Sequence, residues 1–348
     1  MPGSFHPGGV AVWRILQVIW RVALVTTESE GATVDEIVVG AHTHRHESPS
    51  LNPHMSKVWF ITGSSRGLGR ALTEVVLDAG HQVVATARRP EQLADLVKTH
   101  GDRIRTVKLD VTSPEDAESA VAAAINAFGR LDVVVNNAGY ALTGAFEEMS
   151  AEEFKGQIDT NFWGVVYVTR AVLPILRRQG AGHLIQITST GGRMAVPGLS
   201  GYHAAKFAIE GFSEGLAQEI QPLGIKLTIV EPGGFRTDWA GASMAFAKPI
   251  EAYAQTVHAF RDIIQAHDGH QAGDPRKGAA VIIQITEVAE PPLRLVLGSD
   301  ALTILRDAYR NNADELERWA DLSRSTDFDG QQTGASVAQT VMELRRSR

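Results

Sequence analysis

The chain has 348 residues, 44% of them hydrophobic, which suffices for one large α/β domain and excludes global disorder. A net charge of −7, with acids and bases interspersed and no Lys/Arg block, argues against a nucleic-acid partner. The absence of cysteine removes disulfides, thiolate metal sites and thiol chemistry and suits a reducing compartment, so a cytoplasmic location is expected.

Residues 1–54 read as a flexible or mis-assigned extension ahead of Met55. Val10–Val25 is apolar but carries Arg14, Gln17 and Arg21 on one helical stripe. A spanning helix would bury two arginines at roughly 2.5–3.5 kcal/mol each. Membrane contact through residues 10–25 as an amphipathic anchor is the less favoured alternative. His42, His44, His46 and His54 follow, framed by no cysteine or acid arrangement, so a solvated tail is favoured and no metal site is expected.

From Met55 onward strands and helices alternate. Apolar runs at Val58–Thr62, Val83–Ala87, Ile104–Leu109, Val133–Val135, His183–Ile187, Lys226–Val230 and Leu293–Leu297 read as strands. Helices are expected over about Leu68–Asp78, Pro114–Phe128 (capped by Ser113), Ala151–Arg178 (kinked at Pro174) and Tyr202–Ile220. The pattern predicts an α/β fold: one doubly wound, Rossmann-type parallel sheet of about seven strands with helices on both faces, over residues 55–300. Residues 238–292 are long for a connection and hold helical patterns at Pro249–His267 and Pro275–Glu287, which a substrate-covering insertion would explain. A helical C-terminal extension follows over 301–348, with its helix expected at Ala301–Ser323.

Thr62-Gly63-Ser64-Ser65-Arg66-Gly67-Leu68-Gly69 joins the first strand to the first helix. There, glycines allow a tight turn and close backbone approach, and the helix N-terminus offers N–H groups to a pyrophosphate. At the end of the second strand, where an acid would bind the ribose of NAD, the chain has Arg88-Arg89. Arg88 with Arg66 suits a 2′-phosphate, so NADP(H) is expected and NAD(H) is the weaker alternative. Asp110, ending the third strand, either accepts from the adenine amino group or caps the turn before Thr112.

These residues resemble the short-chain dehydrogenase/reductase family. Thr62–Gly69 is similar to its TGxxxGxG motif, Asn136-Asn137-Ala138-Gly139 to NNAG, and Tyr202-His203-Ala204-Ala205-Lys206 to YxxxK. Ser189 lies thirteen residues before Tyr202, Asn161 falls where the family has a catalytic asparagine, and Pro232-Gly233 with Thr237 matches its PG…T segment. The resemblance spans about Lys57–Leu297. It implies a cofactor set of Thr62, Gly63, Ser65, Arg66, Gly67, Leu68, Gly69, Arg88, Asp110, Val111, Asn137, Ala138, Gly139, Tyr202, Lys206, Pro232, Gly233, Phe235 and Thr237. The C-terminal stretch, which often shapes assembly in that family, leaves homo-oligomerisation open.

Tyr202 and Lys206 lie four apart on one helical face. An ammonium beside a tyrosine, together with the positive charge of the oxidised nicotinamide, favours its phenolate, so Tyr202 is expected as general acid/base with a lowered pKa. Ser189 would polarise the carbonyl, Lys206 would also hold the ribose, and Asn161 would anchor a relay water. Candidate wall residues are Tyr140, Leu142, Met149, Met194, Val196, Phe235, Trp239, Met244 and Phe246, with Arg193 and Arg236 as solvent-facing exceptions. They point to an apolar alcohol or ketone substrate. His203 reads as structural. The rival of another class is a dinucleotide-binding regulator without turnover.

Overall fold

Strands that are apolar along their whole length need cover on both faces. The computed structural model describes residues 56–239, 241, 244–328, 338–339 and 341–343. Its strands are β1 (Val58–Ile61), β2 (Gln82–Ala87), β3 (Ile104–Lys108), β4 (Val133–Asn136), β5 (Ala141–Thr143), β6 (Gly182–Ile187), β7 (Ile225–Pro232), β8 (Met244–Phe246) and β9 (Arg294–Leu297). Seven of them form one parallel sheet in the order β3-β2-β1-β4-β6-β7-β9, while β5 and β8 make a separate parallel pair. The expected seven-stranded, doubly wound sheet is therefore present. Its order reverses between β1 and β4, and that crevice is where ligands bind in open sheets of this kind.

The helices are α1 (Gly67–Asp78), α2 (Ala94–His100), α3 (Pro114–Phe128), α4 (Ala151–Ile158), α5 (Gly164–Gln179), α6 (Ser200–Ile220), α7 (Ala259–Ala266), α8 (Pro275–Ile285), α9 (Ser299–Arg318) and α10 (Ala320–Arg324). Strand alternation divides the core. Val58 and Phe60 join Val121 of α3, Val172 of α5 and Leu216 of α6 on one face. Trp59 and Ile61 join Leu72 of α1 and Ile282 of α8 on the other. Each such side chain, removed from water, contributes roughly 1.5–3 kcal/mol. Helix starts are fixed by side chains: Ser113 Oγ accepts from Asp116 N (3.0 Å), with Pro114 in the first turn, and Ser150 and Glu153 cap α4 reciprocally.

Three expectations change. The stretch from Ala151 is not one regular helix: a wide π turn at Asp159–Trp163 separates α4 from α5, and Pro174 lies inside α5. Asn161 of that turn is fully buried and bonded to another segment, and π turns of this kind recur at functional sites. Residues 238–292 do not form one insert, because α8 packs against α1 and places Ala279 and Ile282 in the sheet core. It is the crossover helix between β7 and β9, and only the part before it lies near the site. The helix expected over Ala301–Ser323 is the pair α9 and α10. Residues 1–54, the 10–25 stripe and the histidine group lie outside the described residues, as does most of the chain after Phe328. Among the described residues, no helix is long and apolar enough to cross a membrane.

Candidate active site

The glycine loop leaves the carboxyl end of β1 and enters α1 directly. Gly63 has φ +68°, and a Cβ there would lie 2.9 Å from Ala138 Cα. A Cβ on Gly69 would collide with the Gly63 carbonyl oxygen, so the loop can close on α1 only with glycine at both places. Thr62 ties this loop to the segment after β4: its Oγ1 accepts from Asn137 N (2.9 Å) and Ala138 N (3.0 Å), and Asn137 Nδ2 donates back to Thr62 O (2.9 Å). The residues of the two motifs thus form one surface at the sheet's switch point. Ser65 and Leu68 are half-buried in it, and Thr237 borders the start of α1 beside Gly67. Arg66 is exposed, 3.9 Å from Asp238 across that border, and Arg88 is exposed just beyond β2.

Other members of the expected cofactor set have further structural duties. Asp110 Oδ1 accepts from Thr112 N (3.0 Å) and Thr112 Oγ1 (2.8 Å), the turn-capping alternative. Val111 is buried in the α3/α5 core and meets Gly164. Gly233 N donates to Leu297 O (2.9 Å), and Gly234 N donates to Asp300 Oδ2 (2.7 Å) at the start of α9. Phe235 turns away from the site and packs on Gly273 and Gly278 in the α1/α8 core, so it is not a wall residue.

Ser189 ends β6 and begins a short turn, where its Oγ accepts from Gly191 N (3.0 Å). Tyr202 and Lys206 rise one turn apart on α6, both buried. The Ser189 side chain stands close enough to the Tyr202 hydroxyl to act on its pKa. Lys206 Nζ donates to Ile187 O (2.9 Å) and sits 5.6 Å from the centre of the Tyr202 ring. Burial pushes the Tyr202 phenol up to about 12, with Ser189 opposing it. That is the phenol without the nicotinamide's positive charge, on which the expected lowering also depends. Burial also pulls Lys206 down to about 8, against the attraction of Glu210.

Asn161 pairs with the strand-end segment. Its Oδ1 accepts from Tyr140 N (3.0 Å) and its Nδ2 donates to Tyr140 O (2.9 Å). Its side chain thereby fixes Gly139–Tyr140. His203 spans the next loop, donating from Nδ1 to Gly191 O (2.8 Å) and accepting at Nε2 from Val196 N (3.1 Å), which fixes one neutral tautomer.

An apolar wall stands against Tyr202. Its ring is 5.7 Å from Trp239, within a cluster that includes Leu199, Met244, Val196, Phe260 and Ile264. Phe260 and Ile264 had escaped notice; their spacing of four on α7 was the available sign. Leu142 and Met149 form a different cluster with Ala247 and Phe154. Arg193 does not face solvent but binds Glu231 (3.0 Å), and Arg236 donates to Gln271 O (3.0 Å).

Comparison with known proteins agrees with this geometry. Residues 57–247 match the family model for short chain dehydrogenases. An oxidoreductase, BOA17, of Botryotinia fuckeliana is 48% identical over 77% of this chain and 98% of its own. The 3-ketodihydrosphingosine reductase of Bacteroides thetaiotaomicron is 36% identical over 70% and 88%. A short-chain dehydrogenase structure from Streptomyces avermitilis superposes with TM-score 0.75 at 42% identity, covering 79% of this chain and all of that one. An alcohol dehydrogenase from Thermococcus sibiricus, complexed with 5-hydroxy-NADP, gives 0.57 at 26% identity over 70% and 96%. The chain belongs to the short-chain dehydrogenase/reductase family of oxidoreductases.

Proposed function

We propose that the protein interconverts a carbonyl and an alcohol on a mostly apolar substrate, with NADP(H) as cofactor. The observation that carries this reading is Tyr202: a buried phenol beside Ser189, with Lys206 over its ring, at the sheet end that also carries the glycine loop. The loop fits a dinucleotide, because glycine at 63 and 69 lets it pack tightly on Ala138 and on its own carbonyl, and α1 then begins with no side chain capping its N–H groups, which a phosphate can take. Thr62, Gly63, Ser65, Gly67, Gly69, Asn137, Ala138 and Gly139 would hold its diphosphate and nicotinamide side, with Pro232, Gly233 and Thr237 along the nicotinamide end. Arg88, assisted by Arg66, would take a 2′-phosphate, and the absence of an acid beyond β2 supports NADP over NAD.

When bound, the nicotinamide supplies or accepts the hydride. In reduction, Ser189 Oγ donates toward the carbonyl oxygen and polarises it. Tyr202, neutral at physiological pH, passes its hydroxyl proton to that oxygen as the carbon takes up hydride, giving the alcohol. Lys206 stabilises the phenolate left behind and binds the ribose. Asn161, through Tyr140, steadies the segment beside the nicotinamide. Trp239, Met244, Phe260 and Ile264 exclude water and favour an apolar, lipid-like or aromatic substrate, in keeping with the Bacteroides relative, a 3-ketodihydrosphingosine reductase. The cysteine-free chain suits the cytoplasm as the place of action.

A panel of apolar ketones and alcohols, followed by NADPH absorbance with Tyr202→Phe as the blank, tests the assignment. Turnover by the wild type alone is expected. Tight dinucleotide binding with no turnover of any carbonyl or alcohol would instead favour a non-catalytic regulator.

A further inference from the structure

Behind the catalytic groups lies a buried charge cluster that the chemistry above does not use. Glu210 is 5% exposed and stands one turn beyond Lys206 on α6. Thr188, the residue before Ser189, donates from Oγ1 to Glu210 Oε1 (2.7 Å). Arg294 of β9 reaches the other oxygen of Glu210 (3.0 Å) and also Glu214 (2.7 Å). Arg193, which follows the Ser189 turn, binds Glu231 (3.0 Å) and lies 3.8 Å from Glu210, while Glu231 is 3.6 Å from Arg294. From α9, the ring of Tyr309 faces the Arg193 guanidinium at 5.0 Å. With Lys206 included, three acids (Glu210, Glu214, Glu231) face three bases (Lys206, Arg193, Arg294), so the cluster is neutral while Glu210 is ionised.

Buried charges persist when they are paired and hydrogen-bonded. Four elements meet at Glu210: the end of β6, the turn after Ser189, α6 and β9. The turn is seated on it closely, since a Cβ at Gly192 would lie 3.0 Å from Glu210 Cγ. Resting on the reading of the site given above, we propose that Glu210 is a positioning residue for the reaction: it keeps Lys206 charged from the same helix face and, through Thr188, fixes the strand end that carries Ser189. Without its charge, two arginines and an ammonium would face two acids, and Lys206 would lose its proton more readily. The phenolate formed at Tyr202 would then lack its cation.

Two substitutions separate the two duties. Glu210→Gln keeps an acceptor for Thr188 and removes the charge; Thr188→Val removes the bond and keeps the charge. Measure kcat against pH, and titrate Lys206 by NMR in ¹³C-lysine-labelled protein without cofactor, assigning its signal with Lys206→Arg. Glu210→Gln should lower kcat about tenfold and move both the alkaline limb and the Lys206 titration down by about one pH unit. Thr188→Val should lower kcat several-fold with the titration unmoved. Should Glu210→Gln fail to fold, Glu210→Asp carries the test, with reduced kcat and a Lys206 titration near wild type expected. Wild-type kcat, pH profile and titration in the Glu210 variant that folds overturn the proposal. Tyr202→Phe in the same assay keeps the two readings apart: wild-type turnover there sinks the site itself, whatever Glu210 does.

Discussion

At their carboxyl ends the strands of the seven-stranded sheet deliver Thr62 and Ser189 into a crevice, beside Tyr202 and Lys206, whose pKa values burial displaces in opposite senses. At the amino ends, polar groups close the molecule upon itself. Asp132 Oδ2 accepts from Val58 N (2.8 Å), Gln179 clamps Leu131 through its N (3.1 Å) and O (2.6 Å), and Lys57 donates to Thr286 O (2.9 Å). His183, buried at the start of β6, meets Thr228 Oγ1 at 2.9 Å. The same strands therefore serve chemistry at one end and closure at the other. Substitutions at the carboxyl end should change turnover more than stability, and those at the amino end the reverse.

The largest effect is expected at Tyr202→Phe. The ring and its packing on Trp239 remain, but the proton donor and its interaction with Ser189 are lost. General acid–base catalysis is worth roughly 10²–10⁴-fold, so kcat should fall by that factor while NADPH affinity, read by fluorescence, and the urea midpoint stay near wild type. A fall of less than about tenfold would break the assignment of the carboxyl end to proton transfer.

Next comes Arg88→Ala, which removes a cation from an exposed strand end and touches no core. Losing one charged hydrogen-bond partner weakens binding roughly 10- to 100-fold. NADPH affinity should drop by that amount and NADH affinity should not change. Equal losses for both cofactors would move the 2′-phosphate contact elsewhere.

How much of this was legible in the sequence follows from how far each piece reaches along the chain. Thr62–Gly69 and Tyr202–Lys206 carry their function within a few residues, because a turn, a helix start or one helical turn sets their geometry. The sheet was legible for the same reason, each strand being a short apolar run. Long-range closure was not. Nothing near Phe235 says that its ring fills the space over Gly278, and nothing near Asn161 says that Tyr140 will take both ends of its amide. The burial that raises the Tyr202 phenol comes from segments distant in sequence, and the lysine four residues away gives no sign of it. Glu210 carries a local sign, as Phe260 and Ile264 do on α7, since Tyr202, Lys206 and Glu210 recur every four residues on one helix.

Trp239→Ala should have a smaller effect, confined to the substrate. Its ring packs 5.7 Å from that of Tyr202, and such aromatic contacts contribute about 0.5–1.5 kcal/mol beyond the area buried. KM for the best apolar substrate should rise about tenfold, with NADPH affinity unaltered. An unchanged KM would mean that the wall against Tyr202 does not contact substrate.

The smallest effect on turnover is expected at the amino end, at His183→Gln, where the readout is stability against pH. Burial, with Lys226 and Lys57 adding to it, pulls His183 down to about 3 from 6.5. The folded state thus binds this proton less readily than the unfolded chain. The stabilising contribution is complete above pH 6.5 and is lost as pH falls from there towards 3. Between pH 7.5 and pH 5 the loss attributable to this one side chain is about 2 kcal/mol. Glutamine can still hydrogen-bond Thr228 but does not titrate, so the variant should lose about that much less stability over the same interval, read from urea unfolding at the two pH values. Carboxylates that titrate there contribute equally to both proteins and cancel. At pH 7.5 the variant should turn over substrate at the wild-type rate, because no catalytic group touches His183 from the opposite end of β6. Parallel stability curves for the two proteins would remove His183 as the acid-sensitive group; reduced turnover at pH 7.5 with an unchanged urea midpoint would break the division between the two ends of the sheet.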